Sequence, residues 1–274
     1  MPFAEKGSGH MERLSSKENA LIKQYRKLSA SRREREKESL FTMEGARLCA
    51  DALRSGIRLH SLLMTADAAR YEETAALAEA AGKRAFEITP ELAGYISDTE
   101  HPQGIFAIAE MPPRESDLPP QGKYILLDSL QDPGNLGTVI RAAEAMGIDA
   151  VILSRQCPDL YSPKVIRSTM GSLFRQPILY AEDLSRSISE WKNAGMKCYA
   201  ATLTPDAFPL QKLPQMPFCG IVIGNEGNGV SREVIEACDG EVYIPMQGAT
   251  ESLNAAIAAA LCMWEISGKY IPLD

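Results

Sequence analysis

The order of apolar and polar positions in the C-terminal half of the chain predicts strands and helices that alternate. Short apolar runs rich in β-branched residues indicate buried strands, and each precedes a segment whose apolar positions recur at helical spacing. The predicted strands are Tyr124–Asp128, Ala150–Leu153, Cys198–Leu203, Gly220–Gly224 and Val242–Ile244. The predicted helices are Gly137–Met146, Pro163–Ser172, Leu184–Ala194, Ser231–Ala237 and Ser252–Ser267. This alternation predicts an α/β fold with a mostly parallel, doubly wound sheet.

The N-terminal half shows the same alternation on a smaller scale. A helical pattern runs from Ser15 to Leu28, and a charged loop or helix end follows at Arg32–Lys37. Further strands are predicted at Leu40–Gly45, Leu59–Thr65, Phe86–Ile88 and Gly104–Ala109, and further helices at Ala46–Ser55, Ala68–Ala81 and Pro90–Ile96. These elements predict a small, separate α/β unit.

Two segments lack any such periodicity. Residues 1–11 are small, polar and glycine-bearing, which predicts a disordered N-terminus. The stretch Met111–Gln121 carries four prolines and predicts an extended linker. We therefore predict a first domain at residues 12–110 and a second at residues 122–274.

Composition narrows the class of protein. The chain has 274 residues, of which 45% are hydrophobic, enough for two modest cores. Its six cysteines form no CxxC pair and its three histidines are far apart, which argues against a disulfide framework or a metal site and favours a reducing compartment. No signal peptide is visible, and the longest apolar run, Leu253–Met263, is too short to span a bilayer. We expect a cytoplasmic protein with no membrane partner and no metal.

The distribution of charge changes the picture that net charge gives. An overall charge of −7 argues against a nucleic-acid partner, but residues 12–38 hold nine Lys/Arg against five Glu. That segment carries +4 and leaves −11 for the rest of the chain. A basic stretch on an acidic protein can bind phosphates locally. The alternative is a solvated helix face with Arg/Glu pairs, and the sequence leaves both open.

A first stretch with candidate chemistry, Asp128–Gly147, follows a predicted buried strand. It turns at Asp132-Pro133-Gly134-Asn135, and the helical pattern that follows places Arg141 about one turn into a helix. Such a turn lies at the carboxyl edge of a parallel sheet, where ligands bind. The structural alternative is an ordinary Pro-Gly-Asn turn with Arg141 paired to Glu144.

Two further stretches follow predicted strands in the same way. Gly220–Gly229 ends a strand in a Gly-Asn-Glu-Gly loop, which lets a ligand approach the backbone but matches neither a P-loop nor a dinucleotide fingerprint. Ile244-Pro245-Met246 precedes a polar loop, and Ser252 is the expected cap of an alanine-rich helix. Alone, each stretch could be an ordinary turn or a core helix.

Together the three stretches resemble the SpoU-type (TrmH-like) branch of the SPOUT RNA 2′-O-ribose methyltransferases. The first motif of that family matches Asn135, Gly137 and Arg141; the second matches Gly224, Asn225, Glu226 and Gly229; the third matches Ile244–Met246 and Ser252–Asn254. One departure is visible, since the family often continues Asn-Val-Ser where this chain has Asn254-Ala255-Ala256. The missing hydroxyl removes one possible polar contact from the site.

The N-terminal unit is similar to the L30e-like substrate-binding domain that often precedes this catalytic domain. The resemblance rests on Phe41–Leu48, which reads FTMEGARL, and on His101–Gly104, which reads HPQG. It is strong for the catalytic half and weaker for the first half, and together it covers roughly residues 12–270.

The resemblance implies a fold, a reaction and a set of site residues. It implies a trefoil knot in the catalytic domain, a homodimer, and S-adenosylmethionine as methyl donor with no metal. The implied catalytic residues are Arg141, Asn135, Glu226 and Asn254. The implied cofactor-binding residues are Thr202, Leu203, Gly224, Asn225, Gly227, Ile244, Met246, Ser252 and Leu253. The implied RNA-binding residues are Arg32, Arg33, Arg47, Arg167, Ser168 and Arg175.

Several functional alternatives stay open on the sequence. The two-domain form favours 23S ribosomal RNA as substrate, by analogy only, and transfer RNA competes with it. A non-catalytic RNA-binding assembly factor of the same fold is a second alternative, although Arg141 and Glu226 are intact. A nucleotide-binding dehydrogenase is disfavoured, because the glycine-rich fingerprint after the first strand is absent. Whether Arg141 acts as a base or only grips a phosphate is also open.

Overall fold

A computed structural model of the chain describes residues 11–113, 121–248, 250 and 252–268. The chain divides into two compact units. One combines the residues up to Pro113 with the later segment Asp159–Phe174, and the other holds the remainder. Most of the N-terminus predicted to be disordered, and residues 114–120 of the predicted linker, lie outside the described residues. The domain bounds drawn from composition therefore stay predictions.

The helices and strands have the following bounds. The strands are β1 Glu12–Leu14, β2 Leu40–Glu44, β3 Leu59–Met64, β4 Ala85–Ile88, β5 Ile105–Glu110, β6 Gly122–Leu127, β7 Ala150–Ser154, β8 Ile178–Ala181, β9 Lys197–Ala201, β10 Phe208–Pro209, β11 Phe218–Ile223 and β12 Gly240–Tyr243. The α-helices are α1 Ala20–Ala30, α2 Arg32–Glu38, α3 Ala46–Arg54, α4 Thr74–Ala81, α5 Pro90–Ile96, α6 Pro133–Ala145, α7 Pro163–Thr169, α8 Leu184–Asn193, α9 Arg232–Ala237 and α10 Ala255–Ser267.

The second unit is built on a parallel sheet. Its seven described strands lie in the order β10-β12-β9-β11-β6-β7-β8, and every neighbouring pair is parallel. The predicted α/β fold with a parallel sheet is thereby confirmed. The trefoil knot stays a prediction.

Strand alternation explains how this sheet is covered. Successive side chains point to opposite faces, and Tyr124, Leu126 and Ile152 share one buried cluster with Leu184 and Ile188 of α8. Helix α9 packs against α8, so this pair covers one face. Helices α6 and α10 pack against each other, and α10 also contacts β11 and β6. Both faces are therefore buried, which explains why the strands are apolar almost throughout.

The parallel arrangement brings several loops to one edge. Strands β6, β9, β11 and β12 end at Leu127, Ala201, Ile223 and Tyr243. Because the carboxyl ends of parallel strands meet at the same edge of a sheet, the loops after these four strands lie together. They contain all three stretches that the sequence singled out.

The N-terminal unit has a mixed sheet. Its strand order is β1-β4-β3-β5-β2, with β1 and β3 parallel to β4, and with β5 antiparallel to β3 and β2. Ile22, Tyr25 and Leu28 of α1 pack with Leu92 and Ile96 of α5 in one apolar cluster. The small separate α/β unit predicted from the sequence is present.

Two local predictions in the N-terminal unit were wrong, and one strand was not predicted. Glu12–Leu14 forms an edge strand on β4, although its sequence is too short and polar to reveal one. Arg32–Glu38 is a helix in its own right, because the Ser31 hydroxyl caps it by accepting a hydrogen bond from the Glu34 N–H. The helix predicted at Ala68–Ala81 divides into a 3₁₀ turn at Ala66–Arg70 and α4.

The second unit departs from prediction mainly at its margins. Strands β8 and β10 were not predicted, since each is short and mixes apolar with aromatic or proline residues. Helix α6 begins at Pro133, earlier than predicted, because the Asp132 carboxylate accepts a hydrogen bond from the Asn135 N–H and caps it. Asn135 therefore lies in the first turn of α6, and Arg141 lies more than two turns from its start.

Within the described part of the chain, none of the helices is both long and apolar enough to cross a membrane.

Candidate functional site

A cleft of about 680 Å³ opens at the carboxyl edge of the parallel sheet, between the loops that follow β9, β11 and β12. Its volume is within the range of small-molecule sites in proteins. All nine residues predicted to bind the cofactor line it: Thr202, Leu203, Gly224, Asn225, Gly227, Ile244, Met246, Ser252 and Leu253. Glu226 and Asn254 line it as well, whereas Asn135 and Arg141 are not among its lining residues. The assignment of these residues to a cofactor stays a prediction.

The loop after β11 folds back tightly on itself. The backbone N–H groups of Asn225 and Gly229 each donate to the carbonyl oxygen of the other, both at 2.9 Å. A Cβ atom added to Gly224 would lie less than 3.0 Å from backbone atoms of Gly229 and Val230. Only glycine fits position 224, because those neighbours are main chain and cannot rotate away.

The Asn225 side chain fixes the same loop from inside. Its Oδ1 accepts hydrogen bonds from the N–H groups of Gly227 and Asn228, at 2.9 and 3.0 Å. Its Nδ2 donates to the carbonyl oxygen of Ser129 at 2.7 Å, in the loop after β6. One amide side chain therefore joins the second and first stretches.

The Glu226 carboxylate is a second link between the same stretches. It accepts hydrogen bonds from the N–H groups of Gln131 and Asp132, at 2.9 and 3.0 Å, and from Nδ2 of Asn135 at 2.8 Å. Burial alone would raise the pKa of Glu226, but these donors outweigh it and lower the pKa below its ordinary value. The carboxylate is therefore held ionised at the start of α6.

Asn135 and Asn254 complete the network. Nδ2 of Asn254 donates to Oδ1 of Asn135 at 3.0 Å, and Oδ1 of Asn254 accepts from the N–H groups of Ala256 and Ile257 at 2.9 and 3.3 Å. Asn254, rather than Ser252, therefore caps α10, which corrects the sequence prediction. Serine was the natural choice from residue preference, but the chain enters the helix two residues later. The network Glu226–Asn135–Asn254 joins all three stretches.

Arg141 lies on an exposed position of α6. The pairing with Glu144 that was the structural alternative is not observed between them, since Glu144 pairs with Arg175 at 2.6 Å. Among the described residues, no ion pair or hydrogen bond engages the Arg141 side chain. Asn135 uses its amide on Glu226 and Asn254 rather than on Arg141. The guanidinium is therefore available to a ligand.

Sequence reasoning missed two carboxylates near the cleft. Glu241 on β12 accepts hydrogen bonds from the hydroxyl groups of Thr202 and Thr204, both at 2.7 Å, and so fixes the loop that carries Leu203. Asp128 is buried after β6 and accepts from the Ser231 N–H at 2.7 Å. The available indication was an acidic residue at the end of a predicted strand for Asp128, and one directly before a predicted strand for Glu241.

The predicted RNA-binding residues do not share one environment. Arg32 pairs with Glu36 at 2.9 Å, Arg167 with Asp98 at 3.6 Å and Arg175 with Glu144. The Ser168 hydroxyl donates to the Lys164 carbonyl oxygen at 2.8 Å. Arg33 and Arg47 are exposed. Their roles stay predictions, and the Arg/Glu pairing weighed for residues 32–38 is present at Arg32.

The two N-terminal segments that carry the resemblance, Phe41–Leu48 and His101–Gly104, contact each other in the fold. Oε1 of Gln103 accepts a hydrogen bond from the Ala46 N–H at 2.9 Å at the start of α3. Glu44 accepts from the hydroxyl groups of Ser97 and Thr99, both at 2.7 Å. Gly104 has φ +74°, and a Cβ there would overlap the Thr65 side chain. These contacts give both segments a structural function.

A buried ion pair in the same unit was also missed. Arg35, which is 4% exposed, donates from Nε to Oδ2 of Asp159 at 2.9 Å and from Nη1 to the Ser29 carbonyl oxygen at 3.0 Å. It joins α2 to the segment before α7. A run of alternating Arg and Glu gave no indication which arginine would be buried.

The described residues contain no group of three or more His, Cys, Asp or Glu side chains placed to hold a metal ion.

The fold and the cleft together define a class of protein, the α/β proteins that bind a ligand at the carboxyl edge of a parallel sheet. A parallel α/β sheet with a large cleft at its carboxyl edge, bounded by glycine-rich and asparagine-bearing loops, has the arrangement in which α/β proteins bind small ligands.

Comparison with known proteins places the chain within that class. Residues 122–264 match the SpoU rRNA Methylase family, and residues 19–107 match the MRM3-like substrate binding domain. The chain is 35% identical to the 23S rRNA (guanosine(2553)-2′-O)-methyltransferase RlmP of Bacillus subtilis over 259 residues, which cover 94% of this chain and 100% of that protein.

Solved structures give the same result. The AdoMet-bound rRNA methyltransferase from Sinorhizobium meliloti superposes with a TM-score of 0.83 at 30% identity, covering 94% of this chain and 97% of that one. The SpoU methyltransferase AviRb from Streptomyces viridochromogenes, in complex with AdoMet, superposes with a TM-score of 0.79 at 27% identity, covering 91% and 98%. The chain belongs to the SpoU rRNA Methylase family. It is an RNA 2′-O-methyltransferase that uses S-adenosylmethionine.

Proposed function

We propose that this enzyme methylates the ribose 2′-hydroxyl of a guanosine in 23S ribosomal RNA. The observation that carries the proposal is the similarity to the Bacillus subtilis enzyme along the whole of that protein, substrate-binding unit included. The similarity extends over the substrate-binding unit as well as the catalytic one, and this supports a shared target. We also propose that it acts in the cytoplasm, where ribosomal RNA is available to a bacterial-type enzyme.

The residues that line the cleft fit the methyl donor. The loop after β9 offers Leu203 and two threonine hydroxyls, the loop after β11 offers backbone groups beside Gly224, and Met246 and Leu253 supply apolar surface. This mixture suits a purine, a ribose and an amino-acid chain together. When bound, S-adenosylmethionine supplies an electrophilic methyl group on a sulfonium, so no metal is needed for activation.

Arg141 is the residue to which we assign the contact with RNA at the reacting ribose. A guanidinium donates up to five hydrogen bonds in a fixed fork, which matches the two oxygens of a phosphate. Its exposure and its lack of a carboxylate partner among the described residues leave that fork available. Arg141 holds the target phosphodiester so that the 2′-oxygen meets the donor in line. Such placement accounts for a large share of a bimolecular barrier.

The Glu226–Asn135–Asn254 network has a supporting function in this proposal. It ties the start of α6, the loop after β11 and the start of α10 to one another. Arg141 is on α6, so the network sets the position of the helix that carries it. Glu226, Asn135 and Asn254 are therefore positioning residues, and Arg141 touches the substrate.

We further propose that the enzyme works as a homodimer. Ile257, Leu261 and Trp264 are 54%, 41% and 52% exposed and recur at spacings of four and three on α10. They form an apolar stripe on a helix that begins at the cleft, and a second copy of the chain would cover it.

The double variant Leu261→Glu with Trp264→Glu tests this interface, and it should sediment as a monomer. A dimer that persists in this variant would contradict the proposed interface.

The function is tested by methyl transfer to RNA from cells that lack the enzyme. Purified protein is incubated with tritiated S-adenosylmethionine and either ribosomal or transfer RNA, and the labelled nucleoside is identified by mass spectrometry. We expect 2′-O-methylguanosine in 23S RNA. Arg141→Ala should lower the rate by about 100-fold or more, while cofactor affinity stays within twofold.

Arg186→Ala serves as the matched control, because Arg186 is an exposed arginine on α8 paired with Glu190. Its rate should equal that of the wild type. Label that enters only transfer RNA would overturn the proposed substrate. A protein that binds the cofactor and RNA without transferring a methyl group would instead indicate an assembly factor.

A further inference from the structure

Two cations and an aromatic ring meet on the surface of the N-terminal unit. Nζ of Lys17 lies 4.5 Å from the centroid of the Tyr95 ring, and Cζ of Arg26 lies 4.4 Å from it. Lys17 precedes α1, Arg26 is on α1, and Tyr95 is on α5. We call these three residues the Tyr95 surface.

The packing of the two helices explains why this cluster faces solvent. Ile22 and Tyr25 of α1 and Leu92 and Ile96 of α5 enter the common core. Arg26 and Tyr95 lie beside these residues in sequence but are exposed, and Tyr95 keeps 36% of its surface accessible. The fold holds the two helices together, so it also holds the ring and Arg26 close to each other.

The charges of the Tyr95 surface are not neutralised by the described residues. Both cations contact one ring, so they are at most about 9 Å apart, a separation comparable to the Debye length of about 8 Å at physiological salt. Neither cation has an ion pair among the described residues, and the neighbouring Glu18 binds Lys23 instead. The pKa of Glu91, one turn before Tyr95, is lowered by hydrogen bonds from its own backbone N–H and from Thr89 and by the charge of Arg13, and neither Lys17 nor Arg26 is among these causes. An anion placed between the two cations would relieve their repulsion.

The unit that carries this surface suggests which anion it is. Tyr95 and Arg26 lie within the part of the chain that matches a substrate-binding domain, in a protein of an RNA-methylating family. Cations beside an exposed aromatic ring are the elements of single-stranded nucleic-acid binding, where the cations contact phosphates and the ring stacks on a base.

We propose that the Tyr95 surface binds an unpaired segment of the RNA substrate, with a base on Tyr95 and flanking phosphates on Lys17 and Arg26. Cation–π contacts at exposed sites are weak, so the cations can move from the ring to phosphates at small cost. The ring face that they leave then accepts the base. The proposal rests on the function proposed above, and it names residues other than those of the cleft.

The surface is tested with the full chain and a fluorescein-labelled oligouridylate. Lys17→Gln combined with Arg26→Gln should weaken binding at least tenfold and reduce the slope of log affinity against log salt by about 1.4, since each phosphate contact to a single strand contributes about 0.7. Tyr95→Ala should weaken binding about 5- to 100-fold. Tyr95→Phe should stay within twofold of wild type, because it keeps the ring.

Arg70→Gln is the matched control. Arg70 also lies over a ring, at 4.9 Å from the Tyr71 centroid, but with one cation and no second one contacting it among the described residues. It should bind the oligouridylate as the wild type does. The proposal is overturned if the double variant keeps wild-type affinity and salt slope, or if Arg70→Gln loses as much.

Methyl transfer and cofactor affinity measured on the same preparations separate this proposal from the proposed function. If the variants lose RNA affinity while cofactor affinity is kept, the Tyr95 surface is supported. If the wild type methylates no RNA but the double variant still loses oligouridylate binding, the surface stands and the proposed reaction falls.

Discussion

The cofactor cleft and the Tyr95 surface hold their polar side chains in opposite ways. In the cleft, Glu226 accepts three hydrogen bonds and Asn225 takes part in three through its side chain. On the Tyr95 surface, Lys17 and Arg26 are engaged with one ring and with no carboxylate among the described residues. The cleft is fixed before any ligand arrives, whereas the surface can rearrange around one.

The difference follows from what each region has to recognise. A methyl donor must be held in line with a hydroxyl, and a cleft whose loops are preorganised can hold it in that geometry. An unpaired RNA strand presents a mobile backbone, and it is gripped by side chains that can follow it. Substitutions that break the framework of the cleft should therefore lower stability or catalysis, while substitutions on the Tyr95 surface should lower RNA affinity alone.

The largest effect is expected from Gly224→Ala. The added Cβ would lie less than 3.0 Å from the main chain of Gly229 and Val230, so the loop after β11 must open. We expect the free energy of unfolding to fall by about 3 kcal/mol or more and cofactor binding to be lost. Thermal unfolding and isothermal titration with S-adenosylmethionine measure both.

Gly227→Ala is the control for that substitution, because its Cβ would meet only Asn225 Oδ1 at 3.5 Å, an ordinary contact. Its melting temperature should stay close to that of the wild type. If Gly224→Ala has the same melting temperature as Gly227→Ala, the loop after β11 accommodates the added Cβ, and this would contradict its rigidity.

A smaller effect is expected from Glu226→Gln. One carboxylate oxygen becomes an NH₂ group that faces N–H donors, so at least one of the three hydrogen bonds is lost. We expect kcat to fall about tenfold, equivalent to about 1.4 kcal/mol, with RNA affinity unchanged. Glu233→Gln, an exposed residue on α9, should leave kcat as it is.

The difference in stability between the wild type and Glu226→Gln should depend on pH. The pKa of Glu226 in the folded state lies below its ordinary value of 4.5, so its contribution to stability is present above pH 4.5 and is lost as pH falls through the lower pKa. The difference in unfolding free energy between wild type and Glu226→Gln should be constant above that pH and shrink below it. A difference that grows on acidification would contradict the proposed hydrogen bonding.

The sequence predicts much of the cleft and little of what joins it. The strand ends and the glycine-bearing loops follow local patterns, and the resemblance to the family implied the residues that line the cleft. The contact between Glu226 and Asn135 spans 91 positions, and that between Asn254 and Asn135 spans 119. Such pairs depend on which strands are neighbours, and the sequence of a single segment does not determine the order β9-β11-β6.

The N-terminal unit shows the same limit more strongly. Nothing in the run Arg32–Glu38 distinguishes the buried Arg35 from its exposed neighbours, because its partner Asp159 lies 124 positions away. Tyr95 and Arg26 likewise come together only when α1 packs on α5. Charge counted along residues 12–38 left open both a phosphate-binding region and a solvated helix face, and it could not choose the side chains.

The smallest effect is expected at Asn254, where two functions can be separated. Asn254→Ala removes the cap of α10 and should lower the free energy of unfolding by about 1 kcal/mol, and it should also lower kcat. Asn254→Asp keeps an oxygen that accepts from the Ala256 N–H, but it cannot donate to Oδ1 of Asn135. Because an aspartate also suits the start of a helix, this variant should retain its stability and still lose kcat. If kcat follows stability in both variants, Asn254 acts on the reaction only through the helix, and the hydrogen bond to Asn135 does not position α6.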